Sequence, residues 1–278
     1  MNYQQITIAV SDLSVQEILI ACLSEAGYEG FEEGGNFLHA FIPDPNFNAV
    51  LLEEMLSPWQ LTYTSQFLEE KNWNEEWEKN FQPVIVEDFC AVRAHFHAPI
   101  PGVQHDLLIT PKMSFGTGHH ATTYMMMQMM RSLPFAGRQV LDFGTGTGVL
   151  AILAEKLSAS GVLAIDNDDW SINNAIENIE KNNSIKVEVE KMDKIPDTGG
   201  YDIILANINK HILMREMASL GQHLNKNGVI LMSGLLDDDF DDIEKEALIN
   251  KLSVSGRISK GHWTCLQLQK KGENQVKK

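Results

Sequence analysis

The chain has 278 residues, 44% of them hydrophobic and 22% charged, a length suited to two ordinary globular domains that need no disulfide or metal to hold a core. With 22 Lys and Arg against 38 Asp and Glu the net charge is −16, which repels phosphate backbones, disfavours an RNA substrate and permits a basic protein one. Cys22, Cys90 and Cys265 are scattered and odd in number, which excludes a disulfide framework. The N-terminus lacks a signal-peptide pattern, and no apolar run reaches the roughly 18 residues of a membrane span, so a cytoplasmic location is expected.

Residues 3–10 alternate as a strand. Ser14 and Glu17 have the spacing of a capping box that would open a helix through Ile18, Ile20, Ala21 and Leu23. Gly27 and Gly30 end that helix around a short strand near Tyr28, and Gly34 with Gly35 makes a turn into a strand over 37–42. Pro43 and Pro45 break it before a helix carrying Val50, Leu51, Leu52 and Met55, and residues 60–65 supply a last strand. The order β-α-β-β-α-β is the ferredoxin-like split arrangement. Trp73, Trp77 and Phe81 then recur every four residues and line one face of a predicted linker helix over 66–82.

A larger domain is expected over 83–270. Short strands at 84–86, 90–96 and 107–109 precede a helix after His119. Strands and helices then alternate through residue 248, as in a doubly wound parallel sheet, and 252–258 with 263–268 reads as a closing antiparallel pair. Residues 271–278 are expected to be a disordered tail.

Val140-Leu141-Asp142 runs as a strand into Gly144-x-Gly146-x-Gly148. Glycines let the backbone turn sharply and bring a ligand against the main chain. A dinucleotide fingerprint needs a small residue three positions after the second glycine, and Val149 stands there. A pyrophosphate grip is thereby disfavoured, and the loop resembles the nucleoside-binding loop of class I methyltransferases. Asp166, about twenty residues on, ends the next strand, where a carboxylate can accept from both ribose hydroxyls. Asp168 or Ser171 could serve as the following helix cap and leave Asp166 free for that role. Asn207 ends a later strand at the same sheet edge and could hold an amine through its amide, with Asn209 the better helix cap. His95 and His97 alternate on a predicted strand and His119 adjoins His120, but no Cys or carboxylate cluster completes a ligand set, so no metal is expected.

The segment Phe115-Gly116-Thr117-Gly118-His119-His120-Ala121-Thr122-Thr123, the glycine loop and Ala206-Asn207-Ile208 together resemble the bacterial ribosomal protein L11 methyltransferases, and the Trp73–Pro83 region is similar to that family's linker. The resemblance covers nearly the whole chain. It departs at the His119-His120 pair and at Ile109-Thr110-Pro111-Lys112, where the usual Asp-Pro-Gly is missing. It implies an α/β class I methyltransferase domain behind a small ferredoxin-like α+β domain over 1–65 that recognises the substrate. It also implies transfer of methyl groups from S-adenosylmethionine to lysine or N-terminal amines of a basic ribosomal protein. The enzyme would act as a monomer, without direct nucleic-acid or membrane binding. Thr123, Gly144, Gly146, Asp166 and Asn207 would bind the cofactor, with Phe115 and its glycines closing over the methionine end. The competing readings are a class I methyltransferase with another substrate, a nicotinamide-dependent oxidoreductase, and a non-catalytic binding module.

Overall fold

The computed structural model describes residues 2–68, 81–110, 112, 114–197 and 199–270. The chain divides into two units, Met1–Asn80 and Phe81–Lys278. The expected linker helix lies mostly, and the expected tail entirely, outside the described residues.

The first unit runs β1 (Tyr3–Ala9), α1 (Leu13–Glu25), β2 (Gly30–Gly34), β3 (Phe37–Pro43), α2 (Ala49–Leu56) and β4 (Tyr63–Leu68). Its sheet order β2-β3-β1-β4 is antiparallel throughout, which is the ferredoxin-like arrangement. Period-2 alternation turns Ile6, Ile8, Leu38, Ala40 and Ile42 to one face, where they bury Leu19 and Leu23 of α1 and Leu52 and Leu56 of α2. The start of α1 differs from the expected capping box. Asp12 is the cap, its Oδ1 accepting from the Ser14 and Val15 amides at 2.9 and 3.4 Å. A carboxylate one residue before the helix satisfies two free N–H groups and leaves Ser14 inside the first turn. The strand expected near Tyr28 lies at β2 instead, because Gly27 takes a left-handed φ of +91° and Tyr28 is still bonded back to Leu23 of α1. Similarly, β4 starts at Tyr63, later than expected, because a left-handed Gln60 closes the turn before it, and it runs on to Leu68, so residues 66–68 of the expected linker helix are strand.

The second unit opens with β5 (Val84–Val86), β6 (Cys90–Arg93) and β7 (His105–Leu108), a three-stranded sheet, followed by α3 (Ala121–Met130). There follow β8 (Gln139–Phe143), α4 (Val149–Lys156), β9 (Gly161–Asp166), α5 (Asp169–Lys181), β10 (Val187–Lys191), β11 (Tyr201–Asn207), α6 (Lys210–His223), β12 (Leu224–Leu236), α7 (Phe240–Ile249), β13 (Leu252–Lys260) and β14 (Trp263–Lys270). The main sheet has order β10-β9-β8-β11-β12-β14-β13. It is parallel from β10 to β12, with β14 antiparallel to both neighbours. Successive residues of each central strand enter opposite cores. Val140, Ile203, Leu205 and Leu231 pack on the side of α3, α4 and α5; Leu141, Ile204, Ala206, Ile230 and Met232 pack on the side of α6 and α7. His95 and His97 are not on a strand. β6 ends at Arg93, and the chain turns there, with the Ala94 amide donating to His97 Nδ1 at 3.2 Å.

Candidate active site

Ligands of an open parallel sheet bind beyond the carboxyl ends of its strands where the strand order reverses. In this sheet that point lies between β8 and β11, since β9 and β10 lie to one side of β8 and β11 and β12 to the other. A cavity of about 390 Å³ opens there, bordered by Gly144, Gly146, Asp166 and Asn207 at the ends of three strands.

Gly144 and Gly146 adopt φ of +78° and +55°, a region that side chains disfavour. Space makes the demand stricter. A Cβ on Gly144 would lie 2.3 Å from Ile208 Cγ2, and one on Gly146 would lie 2.3 Å from the Phe115 carbonyl oxygen. The amides of Gly144 and Thr145 both donate to Ile165 O, at 2.9 and 3.0 Å, which folds the loop back over the end of β9.

Asp166 braces that loop from the neighbouring strand. Its Oδ2 accepts from Gly146 N at 3.0 Å and its Oδ1 from Asp168 N at 3.1 Å. A carboxylate offers about four lone-pair sites, so accepting capacity remains toward the cavity. As anticipated, Asp168 caps α5 by accepting from Ser171 N at 2.9 Å, and Asn209 caps α6 by accepting from Ile212 N at 3.1 Å.

Asn207 borders the cavity with its Nδ2 donating to Thr123 Oγ1 at 3.0 Å. Its Oδ1 is shielded from water and has no partner. An unpaired buried acceptor costs on the order of 1–3 kcal/mol. Thr123 itself is fully buried. Its neighbour Thr122 is equally buried and borders the cavity.

Phe115 is half-exposed and lines the cavity. Its ring meets His120 edge-on at 5.3 Å, and His120 meets Trp263 edge-on at 4.6 Å, giving a continuous aromatic wall. The two histidines diverge. His120 caps α3, its Nδ1 accepting from the Thr122 amide, whereas His119 Nε2 bonds the Gln82 carbonyl at 2.8 Å. Among the described residues, no group of three or more His, Cys, Asp or Glu side chains is placed to hold a metal ion.

Under the glycine loop, Asp142 is 1% exposed and accepts from Thr145 Oγ1 at 2.7 Å. Burial pushes its carboxyl up to about 7, against the opposing pull of the hydrogen bonds from Thr145 and the Ala151 main chain.

Sequence reasoning found the strand-end residues and missed Trp263, Met192 and Asp193, all of which border the cavity. Trp263 starts β14, paired with Leu236 at the carboxyl end of β12. An antiparallel final strand begins where the parallel strands end, so topology could have flagged its first residue as a rim residue. Met192 and Asp193 follow β10, and the equivalent strand-end rule applies to them.

A family model described as ribosomal protein L11 methyltransferase (PrmA) matches residues 37–271. The ribosomal protein L11 methyltransferase of Porphyromonas gingivalis is 41% identical over 261 residues, spanning 90% of this chain and 89% of its own. That of Bacteroides thetaiotaomicron is 36% identical over 277 residues, spanning 96% and 99%. The crystal structure of the ribosomal protein L11 methylase from Lactobacillus delbrueckii subsp. bulgaricus superposes with a TM-score of 0.65 at 29% identity, over 69% of this chain and all of the other. With a class I sheet order, a glycine-loop cavity at its switch point and a family match across most of its length, the chain belongs to the ribosomal protein L11 methyltransferase (PrmA) family and is a methyltransferase.

Proposed function

We propose that this chain transfers methyl groups from S-adenosylmethionine to amino groups, lysine side chains or the N-terminal amine, of ribosomal protein L11. The observation that carries the reading is one cavity with a carboxylate at the end of β9 and an unpaired amide oxygen at the end of β11, in a chain of this family.

The residues fit the cofactor. Gly144 and Gly146 leave the main chain bare, and Asp166 retains lone pairs for two ribose hydroxyls. When bound, S-adenosylmethionine supplies an electrophilic methyl group on a cationic sulfur. The protein's work is placement. Asn207 Oδ1 accepts from the acceptor amine and orients its lone pair, while the Phe115–His120–Trp263 wall excludes water. A lysine amine near its reference pKa of about 10.4 is protonated at neutral pH; a dry aromatic channel favours the neutral, nucleophilic form.

The first unit serves substrate recognition in this reading. The substrate is a basic protein, the enzyme acts as a monomer without binding nucleic acid, and the reaction takes place in the cytoplasm. Among the described residues no helix is long and apolar enough to cross a membrane.

The test is methyl transfer from labelled S-adenosylmethionine to purified ribosomal protein L11, beside other ribosomal proteins. Label on L11 that maps to amines is expected. Cofactor binding with no label on L11 would overturn the substrate assignment.

A further inference from the structure

Thr147 belongs to the glycine loop, yet its side chain is fully buried and borders no part of the cavity that Gly144 and Gly146 line. Its polar groups point the other way, into the segment that carries Phe115. Thr147 N donates to Phe115 O at 3.0 Å, and Thr147 Oγ1 donates to Gly116 O at 2.7 Å. Thr147 O accepts from Asn178 Nδ2 at 2.8 Å, and the same side chain's Oδ1 accepts from Thr110 N at 2.7 Å. Asn178 is fully buried on α5, so one amide joins the glycine loop to the chain entering the Phe115 segment.

Further tethers reinforce the arrangement. Asn182, the residue just past the end of α5, brackets Leu108 by accepting from its amide at 3.0 Å and donating to its carbonyl at 2.6 Å. Glu177 pairs with both Lys112 and Lys181, and these partners hold its carboxyl down at about 2. Leu108, Thr110 and Lys112 are thus tethered along α5, and the Phe115 and Gly116 carbonyls rest on the back of the glycine loop. The missing side chain of Gly146 is what admits the Phe115 carbonyl.

We infer that Thr147 is a positioning residue for Phe115: by holding the Phe115 and Gly116 carbonyls it sets the aromatic wall in register with the cofactor loop. The ligand-facing side of the loop and the wall across the cavity then form one unit. The inference rests on the cavity being the methyl-transfer site, and it adds a residue that touches neither cofactor nor substrate. Thr147 acts through Phe115, so its contribution vanishes when the phenyl ring is absent.

That dependence is a double-mutant cycle. The full chain is prepared as wild type, Thr147→Val, Thr147→Ser, Phe115→Ala and Thr147→Val with Phe115→Ala. Each is measured for kcat and KM on ribosomal protein L11, for S-adenosylmethionine affinity by calorimetry, and for melting temperature. Thr147→Val removes one hydroxyl and keeps the volume, leaving the Gly116 carbonyl unpaired. A fall in kcat/KM on the order of tenfold is expected, with Thr147→Ser near wild type and the double variant equal to Phe115→Ala alone. Hydrogen exchange at residues 115–117 should rise in Thr147→Val without a matching loss of melting temperature.

Wild-type kinetics in Thr147→Val would overturn the inference, as would effects of the two substitutions that simply multiply. A silent Phe115→Ala in an enzyme that still binds S-adenosylmethionine would also overturn it, while leaving the function intact. Failure of the wild type to bind that cofactor would instead sink the function. If Thr147→Val does not fold, Thr147→Ala in the same cycle carries the same prediction.

Discussion

The two units are built on the same alternation of apolar and polar residues, but they depart from regularity in different places. Residues 1–68 contain nine carboxylates (Asp12, Glu17, Glu25, Glu29, Glu32, Glu33, Asp44, Glu53 and Glu54) and no lysine or arginine. Their described backbone is a regular four-stranded sheet under two helices. In the second unit several irregularities meet at one sheet edge: the left-handed Gly144, Gly146 and Gly148, a buried carboxyl raised to about 7, and the unpaired oxygen of Asn207. The first unit carries its message as net charge over a plain scaffold. The second carries it as local cost at a few atoms, the pattern expected where a ligand completes the structure.

Substituting glycines breaks this comparison most severely. Gly146→Ala must move a carbonyl 2.3 Å from the new Cβ, at a left-handed φ. It is expected to abolish measurable methyl transfer and weaken S-adenosylmethionine binding by about two orders of magnitude or more, in line with the several kcal/mol of such clashes. Gly35→Ala, in the first unit's turn, meets nothing within 4 Å and should leave both quantities and the melting temperature unchanged. A tolerated Gly146→Ala would remove the argument for close ligand approach.

Next in size is Asn207→Ala. Losing the only polar group proposed to face the amine should lower kcat on the order of a hundredfold, about 2.7 kcal/mol, with cofactor affinity changed far less. Steady-state kinetics with a separate binding titration distinguish the two, and an equal loss in both would move Asn207 from the acceptor to the cofactor.

Asp142 gives the comparison a pH signature. Its folded pKa of about 7 lies above the unfolded value near 3.9, so between those limits the folded state holds a proton that the unfolded state has lost. Asp142's contribution to stability therefore falls as pH rises from about 4 to about 7, with a slope up to about 1.4 kcal/mol per unit, and is flat above. Denaturant unfolding of Asp142→Asn at pH 5 and pH 8 should show that the variant gains on wild type at the higher pH. A constant difference would contradict the burial argument. Conversion of the exposed Glu17, Glu25, Glu53 and Glu54 to Gln has the smallest expected effect. KM for the substrate protein should rise several-fold at low salt, fading as salt screens it, while the Kd for S-adenosylmethionine stays put.

The sequence made the second unit's sheet legible because strand and helix periods alternate cleanly and glycines punctuate the switch point. Asp166, Asn207 and both helix caps beside them followed from their places at strand ends. Less local features escaped. Asp12 displaced Ser14 as a cap because two acceptors competed within three residues, and Gly27 and Gln60 shifted β2 and β4 by adopting left-handed turns that composition does not reveal. His95 and His97 left their expected strand because Arg93 ends it, its guanidinium held by Asp106 and by the His97 carbonyl. Trp263 and Thr147 act through partners more than 20 residues away in sequence, a relation visible only after folding. Thr123, read by resemblance as a cofactor contact, likewise meets Asn207, a partner far away in sequence.

The most direct test of the central claim, that the strand-end cavity is the cofactor site, is calorimetric titration of S-adenosylmethionine into wild type and Asp166→Ala. The wild type should bind one equivalent. Asp166→Ala should bind at least tenfold more weakly, as loss of a charged acceptor implies, with its first-unit fold unchanged by amide exchange. Equal affinity in the two proteins would contradict the account.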